Sequence, residues 1–292
     1  MRILITGATG YLGSCLAKRL HNQKHTIACT VRSFENLKRL ECLHNDVTLI
    51  STSALDEGVT TFGPEIIIHT ACVYSRGTYT DQAVFEGNFE FPFHLMQVAQ
   101  KAGVWRWINT DTALPPTLNS YALAKSQFGQ WGEAYAKAGN LQFLNLVLEQ
   151  FYGPDAPDDY FLSWVIQKLN QNASVDLTLG TQKRDFIYIE NVLDVYEAVL
   201  NWPMEEPYGE IEVGTGTAPT IREVVEYLKT ITHSESSLNF GAVPMRKNEP
   251  DSHCNTTQLL QLGIKTPMDW QTGMKLLINH IESKKTNEEC NK

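Results

Sequence analysis

Short apolar runs and stretches with helical spacing alternate from the first residue onward. RILIT (2–6) and HTIACTV (25–31) are typical of buried strands, and YLGSCLAKRLHNQ (11–23) between them has the spacing of a helix. Helical patterns also cover 82–103 and 120–139. Further strand-like runs are VTLI, EIIIHTA, WRWINT and LQFLNLV, at 47–50, 65–71, 105–110 and 141–147. Strands that alternate with helices in this way predict an α/β fold with a doubly wound parallel sheet.

The alternation changes in the second half of the chain. A loop rich in proline and aspartate, YGPDAPDDYF (152–161), is followed by a helical stretch and short β-like pieces. The predicted parts are a Rossmann domain over 1–160 with parts of 184–216, a smaller C-terminal α/β substrate-binding region over 161–183 and 217–285, and a disordered polar tail at 286–292.

The composition narrows the class of protein. With 42% hydrophobic and 20% charged residues among 292, the chain is typical of a globular protein. Its net charge of −9 argues against a nucleic-acid-binding surface, and no apolar run approaches the roughly 18 residues of a membrane span. The six cysteines form no C-x-x-C pair, and no histidine cluster has metal-ligand spacing. We therefore predict a cytoplasmic protein without a metal site.

A glycine-rich loop joins the first strand to the first helix. In ITGATGYLGSCL the glycines are Gly7, Gly10 and Gly13. Gly7 permits a tight turn, Gly10 allows the backbone to approach a pyrophosphate, and Gly13 allows close packing of helix and strand. The N-terminus of the helix then presents unpaired N–H groups to the phosphates. This arrangement predicts a dinucleotide-binding site.

The end of the second strand indicates which dinucleotide binds. An acidic residue about 20 positions after the last glycine would hydrogen-bond the ribose of NAD. This chain has Arg32 and Ser33 there instead. Because a guanidinium can pair with a 2′-phosphate, the sequence favours NADP(H) over NAD(H).

Tyr121 and Lys125 lie four residues apart in a predicted helix and so share one face. A tyrosine with a pKa of about 10 is a poor acid or base at neutral pH. A neighbouring ammonium lowers that pKa, and the same ammonium can hold the ribose of a nicotinamide cofactor. The pair is therefore a candidate for proton transfer.

The order of glycine loop, strand-end hydroxyl and Y-x-x-x-K resembles the extended short-chain dehydrogenase/reductase family, of the NAD-dependent epimerase/dehydratase type. The segments YGP (152–154), RDFIYIENV (184–192) and EVGTG (212–216) are also similar to that family's signatures. The resemblance implies that Tyr121, Lys125 and a strand-end hydroxyl are catalytic. The implied cofactor-binding residues are Gly7, Thr9, Gly10, Tyr11, Leu12, Arg32, Ser33, Thr70, Ala71, Asn88, Tyr121 and Lys125.

The strand-end hydroxyl has two candidates. Aligning RWINTDT with the family pattern places Thr112 at its Ser/Thr position, where it also contacts the substrate. Thr110 is the second candidate, because one family branch has Thr-Asp at this step. The loop from Thr112 to Tyr121 is shorter than is usual for the family.

The resemblance also implies a substrate class, since extended members mostly act on nucleotide-linked sugars. Arg184 matches a residue that contacts the diphosphate, and Arg246 with Glu249 matches a pair that holds phosphate and ribose. Sugar dehydratases need an Asp-Glu pair directly after the catalytic threonine. Neither Thr112 nor Thr110 is followed by one, so dehydration is disfavoured.

Within the family, INTD (108–111) and VLEQFYGP (147–154) are similar to the CDP-abequose and CDP-paratose synthase branch. That branch reduces a CDP-linked 4-keto-3,6-dideoxyhexose with NADPH for O-antigen sugars. Val147 departs from it, because the branch usually has Arg there. The alternatives are a C4 epimerase with tightly bound NAD and a non-catalytic NADP-sensing regulator. Helices corresponding to 88–102 and 121–138 form a dimer bundle in related enzymes, which implies a homodimer.

Overall fold

The computed structural model describes residues 1–43, 45–74, 79–246, 249–264 and 267–290. The chain divides into two compact units, the first formed by Met1–Leu148 and Val195–Glu212 and the second by Glu149–Asp194 and Val213–Lys292.

The first boundary lies earlier than the predicted end of the Rossmann domain at residue 160. Strand β6 ends at Leu148, and the next residues, Gln150–Tyr152, pair with Phe186–Tyr188 of the second unit instead of with the large sheet. The loop at 152–161 therefore groups with the second unit.

The first unit is built on a seven-stranded sheet in the order β10-β6-β5-β4-β1-β2-β3. Neighbours from β3 to β6 pair in parallel, which confirms the predicted fold class. The strands are β1 (Arg2–Thr6), β2 (Thr26–Val31), β3 (Thr48–Ser51), β4 (Ile66–His69), β5 (Arg106–Thr112), β6 (Gln142–Leu148), β7 (Gln150–Tyr152), β8 (Val175–Leu177), β9 (Phe186–Tyr188), β10 (Tyr208–Val213) and β11 (Leu238–Phe240).

The helices follow the predicted alternation, with one interruption. The stretch 82–103 is not one regular helix, because a π-helical turn at Glu86–Glu90 separates α3 from α4, directly before Pro92 in the first turn of α4. The α-helices of the described residues are α1 (Tyr11–Asn22), α2 (Leu55–Phe62), α3 (Asp81–Phe85), α4 (Phe91–Lys101), α5 (Ser120–Lys137), α6 (Phe161–Asn170), α7 (Ile189–Val199), α8 (Ile221–Ile231), α9 (Thr257–Gln261) and α10 (Trp270–Cys290).

One face of the large sheet packs against α2, α4 and α5. The strands contribute alternate residues to this core, and Trp107 and Phe143 are fully buried against Phe128 of α5. Helix α5 approaches the sheet closely at Gly132, where an added Cβ would lie 2.2 Å from the ring of Phe143. The register and this close approach place the start of α5 near the carboxyl ends of the strands.

The second unit contains two small parallel pairs of strands, β7 with β9 and β8 with β11. Its buried Asp185 accepts hydrogen bonds from the backbone N–H groups of Thr215, Gly216 and Cys254, and so ties three segments together. Helix α10 continues to Cys290, into the predicted tail at 286–292, because ESKKTNEEC has no Gly or Pro to end it. Within the described residues, no helix has both the length and the apolarity that crossing a membrane requires.

Candidate active site

The glycine loop between β1 and α1 has the geometry that the sequence predicts. Gly7 has a φ of 68°, and a Cβ there would lie 2.6 Å from the backbone nitrogen of Ala71. A Cβ on Gly13 would lie 2.4 Å from the carbonyl oxygen of Gly7. Both positions therefore require glycine, and they bring the chain after β1 against the chain after β4.

The N-terminus of α1 fits a dinucleotide phosphate. Its N-cap is the exposed Gly10, which has no side chain to cap the helix, and the first turn has no acidic residue. The helix dipole and the first N–H groups are thus available to an anion. The predicted Tyr11 and Leu12 lie in this turn and are buried, and the predicted Thr9 directly precedes the N-cap.

The chain after β4 is fixed from β1. The N–H of Ala71 donates to the hydroxyl of Thr6 at 3.2 Å, and the hydroxyl of Thr70 donates to the carbonyl of Thr6 at 2.6 Å. Asn88, in the π-helical turn, is fully buried and holds Val73 by accepting from its N–H and donating to its carbonyl. Asn88 thus fixes the backbone of the predicted cofactor loop.

Arg32 and Ser33 follow β2 directly and are both exposed. The hydroxyl of Ser33 accepts from the N–H of Glu35 at 3.1 Å, which turns the chain. The guanidinium of Arg39 lies 5.6 Å from the ring centroid of Tyr11, at the start of α1. The cationic side chain of Arg39 therefore lies beside the start of α1.

Helix α5 carries both members of the Y-x-x-x-K pair. It starts after Asn119, whose side chain accepts from the N–H of Ala122 at 2.9 Å. Tyr121 is half-buried, with its ring 5.2 Å from that of Tyr74. Lys125 is only 2% exposed. Burial lowers the pKa of Lys125, and the charges of Asp111 and Cys72 partly oppose that shift.

The two candidate hydroxyls on β5 have different surroundings. The hydroxyl of Thr110 lies 2.5 Å from that of the buried Tyr196. Thr112 is half-buried at the end of the strand, where its hydroxyl accepts from the N–H of Leu114 at 3.3 Å. Thr110 is therefore committed to a partner inside the protein, and Thr112 has the more available hydroxyl.

A row of buried polar residues crosses the sheet below the start of α5. Thr6, His69, Asn109 and Asn145 are register partners on four adjacent strands and are at most 2% exposed. They continue the alternation that places Leu4, Ile67, Trp107 and Phe143 in the core, so the same face turns from apolar to polar at the strand ends. This row was not predicted from the sequence, although a polar residue at the end of each of four apolar strand runs could have indicated it.

Hydrogen bonds join the row in two groups. The hydroxyl of Thr6 and Nδ1 of His69 are 2.8 Å apart, and the amide of Asn109 donates to Asn145 at 2.7 Å. Asn145 then donates to Asp111 at 3.0 Å. Burial first, and then the charge of Lys125, hold the pKa of His69 well below its usual value, so this imidazole is neutral.

The residues predicted to bind the nucleotide part of the substrate, Arg184, Arg246 and Glu249, lie in the second unit and differ in burial and pairing. Arg184 is buried and pairs with the carboxylate of Glu249, and it also donates to the carbonyls of Lys183 and Pro250. Arg246 is exposed. The predicted partner of Arg246, Glu249, thus forms its ion pair with Arg184.

Comparison with known proteins defines the class. The model of the NAD dependent epimerase/dehydratase family matches residues 3–214, and the chain belongs to this family. It is therefore an enzyme of the NAD(P)-dependent oxidoreductase type, with a nicotinamide cofactor as its partner.

Individual relatives and structures cover almost the whole chain. A CDP-abequose synthase of Salmonella muenchen is 29% identical over 96% of this chain and 98% of its own. A UDP-glucose 4-epimerase from Thermotoga maritima, solved with UDP-glucose, superposes with a TM-score of 0.86 at 18% identity, over 97% of this chain and 99% of its own. A UDP-glucose 4-epimerase from Thermus thermophilus, solved with NAD, gives a TM-score of 0.83 at 19% identity over the same shares.

The roles of the Thr110 and Thr112 hydroxyls can be distinguished by how their removal changes the stability of the protein. We expect Thr110→Val to lower the free energy of unfolding by about 1–3 kcal/mol, because the Tyr196 hydroxyl loses its buried partner. Thr112→Val is the matched control and should change stability much less, since its hydroxyl is half-exposed. Urea unfolding followed by circular dichroism measures both. Equal losses for the two variants would show that Thr110 is not the structural member of the pair.

Proposed function

We propose that this protein is an NADPH-dependent reductase of the C4 keto group of a nucleotide-linked deoxyhexose, of the CDP-4-keto-3,6-dideoxyhexose type. Such a reductase serves the synthesis of O-antigen or related polysaccharide sugars. The observation that carries the proposal is the Tyr121–Lys125 pair on α5, with Lys125 buried above the polar row. The near full-length similarity to a CDP-abequose synthase supports the substrate class.

When bound, NADPH would provide hydride chemistry at C4, and the residues of this chain would act as follows. Tyr121 donates the proton to the C4 oxygen, and Thr112 shares that oxygen through its hydroxyl. Lys125 favours proton release from the phenol by its charge and orients the nicotinamide ribose. The N-terminus of α1 and the loop at Thr70–Ala71 bind the dinucleotide.

Dehydration is disfavoured by the residues after the hydroxyl. Asp111 is the acid next to both threonines, but its Oδ2 accepts from Asn145 and lies beside Gly129 of α5. The residues after Thr112 are Ala113 and Leu114, which cannot transfer a proton. Reduction of the keto group needs no proton transfer other than the one from Tyr121.

A C4 epimerase with tightly bound NAD is the second candidate function, because several similar structures are epimerases and two of these were solved with NAD. Arg32 and Ser33 favour the reductase, because they offer a guanidinium and a hydroxyl where NAD enzymes have an acid. The presence of both Tyr121 and Lys125 disfavours a non-catalytic regulator.

For the nucleotide part of the substrate we assign the diphosphate to Arg246, whose exposed guanidinium can form a bidentate contact. Arg184 and Glu249 stabilise the same segment by their ion pair, and Glu249 is retained as a candidate for the ribose. In an assay of NADPH oxidation with nucleotide-linked 4-keto sugars, Arg246→Ala should raise the KM for the sugar nucleotide and leave the affinity for NADPH unchanged.

A homodimer is proposed through α3, α4 and α5. Phe85, Phe89 and Phe93 stack along the first two helices and their π-helical turn, and Phe93 meets Trp131 and Tyr135 of α5 edge to face. We call these five residues the aromatic strip. Phe85 and Trp131 are 37% and 46% exposed, which is unusual for such large rings. A second copy with the same strip covers this surface in the proposal.

The reductase proposal is tested by NADPH oxidation with CDP-, dTDP-, GDP- and UDP-linked 4-keto sugars. We expect a CDP-linked substrate to be reduced, and Tyr121→Phe to lower kcat by about 10²–10⁴, because only the acid group is removed. Folding and NADPH affinity should be retained, which circular dichroism and cofactor fluorescence check. A wild-type rate for Tyr121→Phe on a verified substrate would exclude Tyr121 as the acid.

Cofactor choice is tested by titrating NADPH and NADH separately. The wild type should bind NADPH more tightly, and Arg32→Ala should narrow the difference mainly by weakening NADPH, because the guanidinium acts on the 2′-phosphate. Arg222→Ala, at a half-exposed arginine of α8 in the second unit, is the control and should leave both affinities unchanged. Copurification of NAD with the folded protein would instead support the epimerase.

The dimer is tested by sedimentation of the purified chain. Trp131→Glu should convert it to a monomer at micromolar concentration, because a carboxylate is placed in the centre of an apolar contact. Leu179→Glu, at an apolar position that is 52% exposed in the second unit, should remain dimeric. A monomeric wild type contradicts the proposal.

A further inference from the structure

The ammonium of Lys125 lies where water cannot hydrate its charge. The residue is 2% exposed, and it forms no ion pair with any carboxylate of the described residues. A buried charge is costly unless fixed charges or dipoles replace its hydration. Of the groups that raise its pKa against the effect of burial, the carboxylate of Asp111 is the larger and Cys72 the smaller.

The helix face that carries Lys125 also makes room for that carboxylate. Gly129 follows Lys125 by four residues on α5 and therefore lies on the same face, one turn further on. A Cβ at Gly129 would lie 3.3 Å from Oδ2 of Asp111 and 3.6 Å from Nδ2 of Asn145. The missing side chain thus leaves a gap in α5 that Asp111 and Asn145 fill.

Two N–H donors fix the orientation of the Asp111 carboxylate. Oδ1 accepts from the backbone N–H of Thr112 at 2.8 Å, and Oδ2 accepts from the amide of Asn145 at 3.0 Å. Asn145 is held in turn by Asn109, and it also donates to Glu210 of β10 at 3.0 Å. The network leaves Asp111 little freedom to turn towards the substrate side of the strand end.

We propose that Asp111 is a positioning residue, the counter-charge that keeps the buried ammonium of Lys125 charged and in place. Through the N–H of Thr112 it also fixes the residue whose hydroxyl shares the substrate oxygen. The effect on turnover rests on the proposed function. The counter-charge is a property of the cofactor-free chain and can be measured without it.

The remaining titratable groups around Lys125 are few in the described residues. His69 of β4 is neutral and adds no charge. Cys72 follows β4 and acts on Lys125 in the same direction as Asp111, with a smaller effect. Tyr121 precedes Lys125 by one helical turn, and Glu210 lies on the far side of Asn145.

The direct test is the titration of Lys125 by NMR in the cofactor-free protein with ¹³C-labelled lysine, with Lys125→Met to assign its signal. Asp111→Asn should lower the pKa of Lys125, because the charge that most opposes the effect of burial is removed. Asp111→Ser removes the same charge with a smaller side chain and should give a shift in the same direction. An unchanged Lys125 in either folded variant overturns the proposal.

Glu210→Gln is the matched control. It removes the other carboxylate that accepts from the same amide of Asn145, at an exposed position of β10, and Glu210 is not among the groups that shift the pKa of Lys125. It should leave the titration of Lys125 unchanged. A shift as large as that of Asp111→Asn would mean that the general negative potential, and not Asp111, sets the charge of Lys125, and this too overturns the proposal.

The pH profile of kcat separates positioning from a structural role. Removing a negative charge makes proton loss easier from both Lys125 and Tyr121, so Asp111→Asn should move the alkaline limb to lower pH. Glu210→Gln should not move it. A lower kcat with an unmoved limb would assign Asp111 a structural role only. If no substrate is reduced by the wild type, the reductase proposal fails while the NMR titration still decides the role of Asp111.

Discussion

The close approach of α5 to strands β5 and β6 is the constraint on which the candidate site depends. It is possible because Gly132 leaves space for the ring of Phe143 and Gly129 leaves space for Asp111 and Asn145. A side chain at Gly132 would push the helix away from a fully buried ring, and a packed interior does not absorb such a change locally. The depth of Lys125 is therefore set by glycines one and two turns after it.

At this depth the ammonium of Lys125 is removed from water, and the dipoles of the polar row replace its hydration. Apolar residues fill the same face of the sheet up to Trp107 and Phe143, and an ammonium above such a surface would have a lowered pKa. Replacing the next positions by Thr6, His69, Asn109 and Asn145 supplies dipoles without adding charge, since His69 is neutral. Asp111 then supplies the negative charge. The same strands thus provide the core at one end and the charge environment of Lys125 at the other.

The parts that were predictable from the sequence are those with a local cause. Apolar runs predicted β1 to β6 of the large sheet, and the glycine spacing predicted the loop before α1, because both depend on neighbouring residues only. The edge strand β10 (Tyr208–Val213) was not predicted. The π-helical turn at Glu86–Glu90 and the pairing of Gln150–Tyr152 with Phe186–Tyr188 depend on partners distant in sequence. The difference in surroundings between Thr110 and Thr112 depends on Tyr196, 86 residues from Thr110, whose hydroxyl is bonded to that of Thr110. The ion pair of Arg184 with Glu249 was hidden for the same reason.

The fold alone does not choose between a reductase and an epimerase, because epimerases with 18% and 19% identity superpose on almost the entire chain. The difference must come from a few side chains at strand ends. An epimerase returns the hydride to the same sugar and gains from a cofactor that never leaves, whereas a reductase must release the oxidised cofactor after each turnover. In the proposed reductase, the exposed Arg32 and Ser33 would recognise a 2′-phosphate at a position where a ligand can exchange. Lys125 with Asp111 would serve either reaction, so in this proposal the exposed end of β2, and not the catalytic centre, selects between the two.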